Sequence, residues 1–242
     1  MNTWFRQSYY GENDTADDVV HRMDQLRADL ALDHFSYGIV KMPAGLFPEL
    51  DPELHTTYPD EWIERYTVRQ YINLDPVCEL TRNSTRPFFW GHGRFLRGYR
   101  KQQRTVFHEA RAFSIMNGLC IPVRGAHGEI GTFNVVSSDQ KHLRDVVTGE
   151  QERLFQAAFD THDLIVSDTL SRMELSNPPA ELTLREKECL LWTLEGKTAD
   201  DVADLLGLSV FTVNRHASTA AQKLGCTSKH HAAVQALRAG LI

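Results

Sequence analysis

Cysteine is scarce in this chain and scattered: Cys78, Cys120, Cys189 and Cys226 are the four in 242 residues. They form no CxxC pair, and no histidine stands at metal-ligand spacing from any of them. Buried free thiols in a reducing compartment are expected, with no disulfide framework and no metal site. Long apolar runs are missing too. None approaches about 18 residues, the length a membrane helix needs. No basic segment followed by an apolar one occurs near residue 1, so the reading predicts neither membrane span nor secretion signal and a cytoplasmic protein. There is no GxSxG elbow, no HxxxH cluster and no Cys–His pairing at a motif spacing, which disfavours an enzyme. No internal repeat or low-complexity tract appears, and nothing in the chain calls for a cofactor. The acidic pair Asp17 and Asp18 superficially resembles that of a phosphoacceptor receiver. No apolar strand ending in Asp follows at the right distance, so the pair reads as a solvated first turn of a helix.

What remains is a chain of globular composition, 42% hydrophobic and 24% charged, long enough for two domains. The boundary is expected at Ser176-Asn177-Pro178-Pro179-Ala180, where paired prolines forbid helix continuation and favour an extended connector. This sets a first domain at 1–175, a linker at 176–181 and a second domain at 182–242. Residues 181–242 hold seven Lys or Arg and seven Asp or Glu, a net of zero, so the whole net charge of -6 lies in residues 1–180. The first domain is therefore a poor candidate for nucleic acid. The second attracts phosphate weakly as a single copy, so specific binding would want two copies.

The second domain carries the pattern Leu182-Thr183-x-Arg185-Glu186-Lys187-Glu188, then Gly196-Lys197-Thr198, Ser209-x-x-Thr212-Val213-x-x-His216 and Lys223-Leu224-Gly225. Thr183 with Glu186 is a capping box. Leu184, Leu190, Leu191 and Leu194 recur at helical spacing, and Gly196 stops that helix. A second helix from Thr198 is expected to bury Val202, Ala203, Leu205 and Leu206 and to end at Gly207-Leu208-Ser209. Ser209 caps a third, with Val210, Val213, Ala217, Ala220, Ala221 and Leu224 as its inner stripe. Two helices crossing at a short turn leave the second one's outer face free for a major groove. That face holds Thr212, Asn214, Arg215, Ser218, Thr219 and Gln222. A small helical bundle that never touches DNA is the plainer alternative.

The first domain reads as a mixed fold. Residues 14–32 form a helix with Val19, Met23, Leu26 and Leu30 inward, and 34–42 alternates as a strand. Helices follow near 60–70, 75–83 and 101–117, then a hairpin pairs 118–124 with 129–137 around Gly125-Ala126-His127-Gly128. A final helix over 149–175 presents Leu154, Phe155, Ala158, His162, Ile165, Thr169 and Met173. The fold class is α+β: an N-terminal α/β/α sandwich with an antiparallel sheet, followed by an all-α helix-turn-helix domain. Tyr58, Trp62 and Tyr66 are spaced i, i+4, i+8, which predicts three polar-ended rings on one helix face. Asp75-Pro76 is by itself a good helix start, an N-cap with proline at the first position. Gly118 needs no more than a turn into a strand, and Trp90 no more than packing.

Both halves resemble the LuxR family of transcription factors. In the second domain Glu186, Leu190 and Gly196 meet the family's most widely shared positions. In the first, Trp62, Tyr66, Asp75, Pro76, Trp90 and Gly118 fall on the pattern of its autoinducer-binding domain without insertion or deletion. The resemblance implies an N-acyl-homoserine lactone as ligand. Trp62 would donate to the lactone carbonyl, Asp75 accept from the amide N–H, Tyr58 donate to the acyl carbonyl, and Tyr66 and Trp90 wall the head group and chain. Asn134 departs from the pattern, standing where the family often places Ser or Thr. A ligand enclosed in the first domain would stabilise it by mass action, and the long helix before Pro178 offers a surface for self-association, so a homodimer on an inverted-repeat operator with half-sites one helical turn apart is expected. The expected DNA contacts are Lys197, Thr198, Thr212, Asn214, Arg215, Ser218 and Lys223. A ligand-independent regulator, or an inhibitor acting through heterodimers, is the other class the pattern admits.

Overall fold

A computed structural model of the chain describes residues 15–42, 54–126, 128–176 and 181–242, with the side chains of 173–176 left aside. The chain divides into two compact units. Among the described residues one comprises 15–41 and 54–171, and the division falls inside the long helix that precedes the proline pair.

The first unit is built on a five-stranded antiparallel sheet in the order β2-β1-β5-β4-β3. The strands are β1 (His34–Lys41), β2 (Leu54–Thr56), β3 (Phe88–Trp90), β4 (Asn117–Arg124) and β5 (Ile130–Ser137). Successive side chains alternate between faces, and the register sorts them. Ser36 opposes Asn134, which opposes Cys120, which opposes Phe88, on one face; Tyr37, Phe133 and Ile121 are aligned on the other. The helices are α1 (Val19–Asp29), α2 (Asp60–Val68), α3 (Pro76–Asn83), α4 (Gly93–Leu96), α5 (Lys101–Ala110), α6 (Gln140–Gly149) and α7 (Gln151–Ser176).

Helices cover both faces. On the Tyr37 face the Tyr37 hydroxyl bonds His162 of α7 at 2.8 Å, and the Arg144 guanidinium of α6 lies 4.9 Å from the centre of the Phe89 ring. Leu154, Ala158, His162, Ile165 and Thr169 of α7 are buried as expected, and Phe155 is half-buried; the side chain of Met173 lies outside the described set. On the Ser36 face stand α2, α3 and α5.

Several elements differ from the expectation. The helix predicted over 101–117 stops at Ala110. A 3₁₀ turn follows, Ser114 adopts a left-handed backbone (φ 61°), and the chain leaves as β4 from Asn117. Strands β2 and β3, three residues each, are too short to show a period of two. Helix α6 is an addition to the expected elements: Asp139 caps it by accepting from the Lys141 and His142 N–H groups. Asp17 and Asp18 sit in a 3₁₀ turn before α1, where Asp18 accepts from the Thr15 N–H at 2.8 Å.

The second unit contains α8 (Leu184–Leu194), α9 (Ala199–Leu206), α10 (Val210–Lys223) and α11 (Lys229–Arg238). Thr183 and Glu186 form the expected capping box, Thr198 and Asp201 a second, and Ser209 and Ser228 cap α10 and α11. Gly207, at φ 65°, supplies the left-handed turn between α9 and α10. Cys189, Val202, Ala203, Val213 and Ala217 pack at the α8–α9–α10 junction; Leu190, Ala220, Ala221 and residues of α11 pack on the other side.

The inner stripes need correcting. Leu184 is 72% exposed, and Leu191, Leu205 and Val210 are exposed as well. The buried side of α8 runs through Glu186, Cys189, Leu190 and Thr193 instead. Glu186 is turned inward because Lys223 meets it there at 2.8 Å, and its carboxylate also accepts from the Thr183 N–H at 2.8 Å. Burial alone would raise the Glu186 carboxyl. The Lys223 and Thr183 hydrogen bonds outweigh it and hold the group below its ordinary value of 4.5. A carboxyl lowered on folding contributes stability that is complete above its unfolded value and is lost as pH falls through the lowered one. Glu186→Gln should therefore cost about 1–3 kcal/mol at pH 7 and much less at pH 3. Hydrogen exchange of the α8 amides in the full chain checks this; equal protection in both proteins at pH 7 would contradict it.

Candidate functional site

Between the Ser36 face of the sheet and helices α2, α3 and α5 lies a cavity of about 540 Å³. Apolar side chains line most of it, among them Ile39, Ile63, Val77, Val106, Phe107 and Ile115, and a few polar groups converge on it. That volume and that mixture are typical of small-molecule sites, which span about 300–1,000 Å³.

Helix α3 supplies the central acid. Asp75 is its N-cap, accepting from the Val77 N–H at 2.8 Å, and Pro76 occupies the first helical position, where no N–H is needed. Its second carboxylate oxygen accepts from the Tyr66 hydroxyl at 2.9 Å. The plain N-cap role and the cavity-facing role are thus held by one side chain. Burial raises the Asp75 carboxyl, against the Val77, Tyr66 and Arg82 interactions, which lower it. Burial also raises the phenols of Tyr58 and Tyr66, with the Asp75 charge adding to it at each, so both remain donors. The thiols of Cys78, at the cavity, and Cys120 are raised by burial, Cys120 to about 12, which leaves them protonated and unreactive.

Helix α2 positions Trp62 and Tyr66 one turn apart, their rings meeting edge to face at 5.8 Å. Tyr58 is not on that helix: it precedes Pro59, the N-cap of α2, because proline there starts the helix rather than continuing one. It reaches the same cavity nonetheless, where its hydroxyl oxygen accepts from Ser36 Oγ at 3.4 Å, leaving its own proton free to point elsewhere. Trp62 is buried, and its indole N–H has no hydrogen-bond partner among the described residues.

The floor is polar. Asn134 Oδ1 accepts the Trp90 indole N–H at 3.1 Å, while its Nδ2 donates to Thr132 Oγ1 at 3.1 Å and Ser36 Oγ at 3.4 Å. Trp90 is therefore satisfied within the protein, unlike Trp62. Its ring lies against Gly118, where a Cβ would overlap the indole carbons. The glycine is demanded by that approach and not by a turn. Ser36, Thr132 and Gly38 were missed in the sequence, although the i, i+2 spacing of Ser36 with Gly38 and of Thr132 with Asn134 is the signal that puts each pair on one face.

In the second unit Asn214, Arg215 and Ser218 are exposed along α10, and Thr212 is half-buried against Ser209. Lys197 is exposed just before Thr198, whose hydroxyl bonds Asp201 at 2.7 Å. Lys223, also expected among the DNA contacts, is engaged inside the second unit. Its ammonium is committed to Glu186 and to the Glu181 carbonyl at 2.9 Å, so it ties α10 to the start of α8.

Comparisons with known proteins follow this division. Residues 15–163 match the autoinducer binding domain, and residues 180–236 match the bacterial regulatory proteins of the luxR family. The transcriptional activator protein VanR of Vibrio anguillarum is 28% identical over 233 residues, 93% of this chain and 91% of VanR. The HTH-type quorum-sensing regulator RhlR of Pseudomonas aeruginosa is 29% identical over 213 residues, 88% of this chain and 85% of RhlR. The crystal structure of SdiA from Escherichia coli superposes with a TM-score of 0.75 at 22% identity, covering 96% of this chain and 93% of SdiA, a likeness of fold.

Gly118→Ala should force the Trp90 ring off its seat and so strain its bond to Asn134, at a cost of about 1–3 kcal/mol for overpacking. Urea unfolding of the full chain measures it. An unchanged midpoint would show that the ring moves away freely.

Proposed function

The chain belongs to the LuxR family of bacterial transcriptional regulators, and on that footing we propose that it is a quorum-sensing receptor that encloses an N-acyl-homoserine lactone in its first domain. One observation carries this reading: a largely apolar cavity whose polar groups include an acid with spare acceptor capacity, an indole donor without a protein acceptor and a phenol whose proton is free. Asp75, with two protein donors already bound, retains lone pairs for a third. It accepts from the ligand amide N–H. Trp62 donates to the lactone carbonyl and Tyr58 to the acyl carbonyl, while the chain lies among Ile39, Val106, Phe107 and Ile115. Tyr66 fixes Asp75 and walls the head group; Trp90 and Asn134 close the floor.

Selectivity follows from what each group loses without a partner. A buried polar group left unsatisfied costs about 1–3 kcal/mol, so an alkane or simple ester, lacking an N–H for Asp75, is discriminated against. Ligand binding stabilises the folded first domain by mass action. The regulator then acts as a homodimer that brings two copies of α10 to an inverted-repeat operator. A dimer answers the charge neutrality of the second domain, since two weak sites in register bind where one does not.

Asp75→Asn should keep the fold, because asparagine also caps α3, but it presents an N–H where the ligand needs an acceptor. Ligand-induced stabilisation and reporter response should fall at least tenfold, about 1.4 kcal/mol per decade. The lactones are tested as a panel of acyl lengths. A variant with unchanged dose response would sink the assignment of Asp75, and a wild-type protein whose melting midpoint moves with no member of the panel would sink the lactone reading.

A further inference from the structure

Phe211, the second residue of α10, is 78% exposed, the most exposed of the large hydrophobic side chains among the described residues. It makes no ring contact with any described residue, and neither of the second unit's core clusters includes it. Its place on the helix is informative. The inner side of α10 is set by Val213, Ala217, Ala220 and Ala221. At 100° per residue the opposite side runs through Phe211, Arg215, Ser218 and Gln222, spaced i, i+4, i+7 and i+11. All four are exposed. A large apolar ring therefore stands at the N-terminal end of a stripe that otherwise offers hydrogen bonds.

We propose that Phe211 is a specificity-determining residue of the operator contact, packing against the C5-methyl of a thymine next to the base pair approached by Arg215. The inference rests on the reading of α10 as the recognition helix. The N-terminal residues of such a helix meet base edges, and the thymine methyl is the apolar group that the major groove presents. The domain has no net positive charge to spend on phosphates, so short-range contacts must carry more of the discrimination. A ring kept in water on the free protein loses that exposure when the groove closes over it. Polar neighbours on the same stripe argue for a base edge over a second protein, whose contact would want a contiguous apolar patch.

The test separates this residue's role from DNA binding itself. The whole 242-residue chain, expressed with a mixture of N-acyl-homoserine lactones, is used to select its operator from random duplexes. Each thymine of the selected site is then replaced in turn by uracil, which removes only the methyl group, and affinity is read by fluorescence anisotropy. In the wild type, one position per half-site should lose about fourfold in affinity, the worth of one buried methyl carbon. Phe211→Ala should bind the thymine duplex that much more weakly and no longer distinguish thymine from uracil there. Its fold is not at risk, since the ring is outside the core. If no replacement matters to the wild type, or if Phe211→Ala still discriminates, the thymine contact is overturned while operator binding stands. Altered self-association with discrimination intact would reassign the ring to a protein contact. Failure of the wild type to retain any duplex would overturn the DNA reading and this inference with it.

Discussion

The hydrogen-bonded pair of Asp75 and Tyr66 is the joint on which the first domain's cavity depends. A carboxyl taken out of water is costly unless its oxygens are satisfied, and here one oxygen caps α3 while the other receives a phenol from α2. Two helices are thereby locked at one point of the cavity wall. Helix α3 is also fastened to the sheet. Thr81 lies 3.3 Å from Cys120 Sγ, and Arg82 donates to the Val40 carbonyl at 3.0 Å. Arg65 and Arg69 reach Glu109 and so join α2 to α5, although ion pairs this exposed add little stability. The frame of the pocket thus depends on an acid that also lines it.

Opposite that joint the sheet offers a floor whose chemistry comes from register. Ser36, Thr132 and Asn134 are neighbours because β1 and β5 pair antiparallel with Ser36 across from Asn134. Asparagine does there what a shorter hydroxyl could not: it spans from the Trp90 indole to Thr132 and Ser36 at once. Three polar groups of the floor are therefore joined through one amide. With its amide engaged on three sides, Asn134 is part of the wall's rigidity, and Trp90 keeps its seat over Gly118.

Local signals in the sequence reached much of this. The cap at Asp75-Pro76, the Thr183–Glu186 box, the alternation of 34–42 and the hairpin are short-range patterns, and each appears where a reader of the chain would put it. Asp75, Trp62 and Tyr66 were legible for the same reason, helped by the family pattern. What escaped depends on distant partners. Ser36 and Thr132 acquire meaning only once the strand register is known. Helix 101–117 looked continuous because the left-handed turn at Ser114 is made by a residue with no special claim to it. On α8 the leucines invited an inner stripe, but Lys223, far along the chain, draws Glu186 inward and rotates Leu184 and Leu191 to the surface. The same contact commits the Lys223 ammonium within the second unit. Periodicity ranks faces by hydrophobicity, and an ion pair that buries its carboxylate inverts that ranking.

The most direct measurement of the central claim is native mass spectrometry of the full chain purified after expression with a panel of N-acyl-homoserine lactones. The account expects one intact lactone per chain, retained through purification and released on unfolding. A protein that emerges empty from every member of the panel, or that retains only fatty acids lacking an amide, would contradict it.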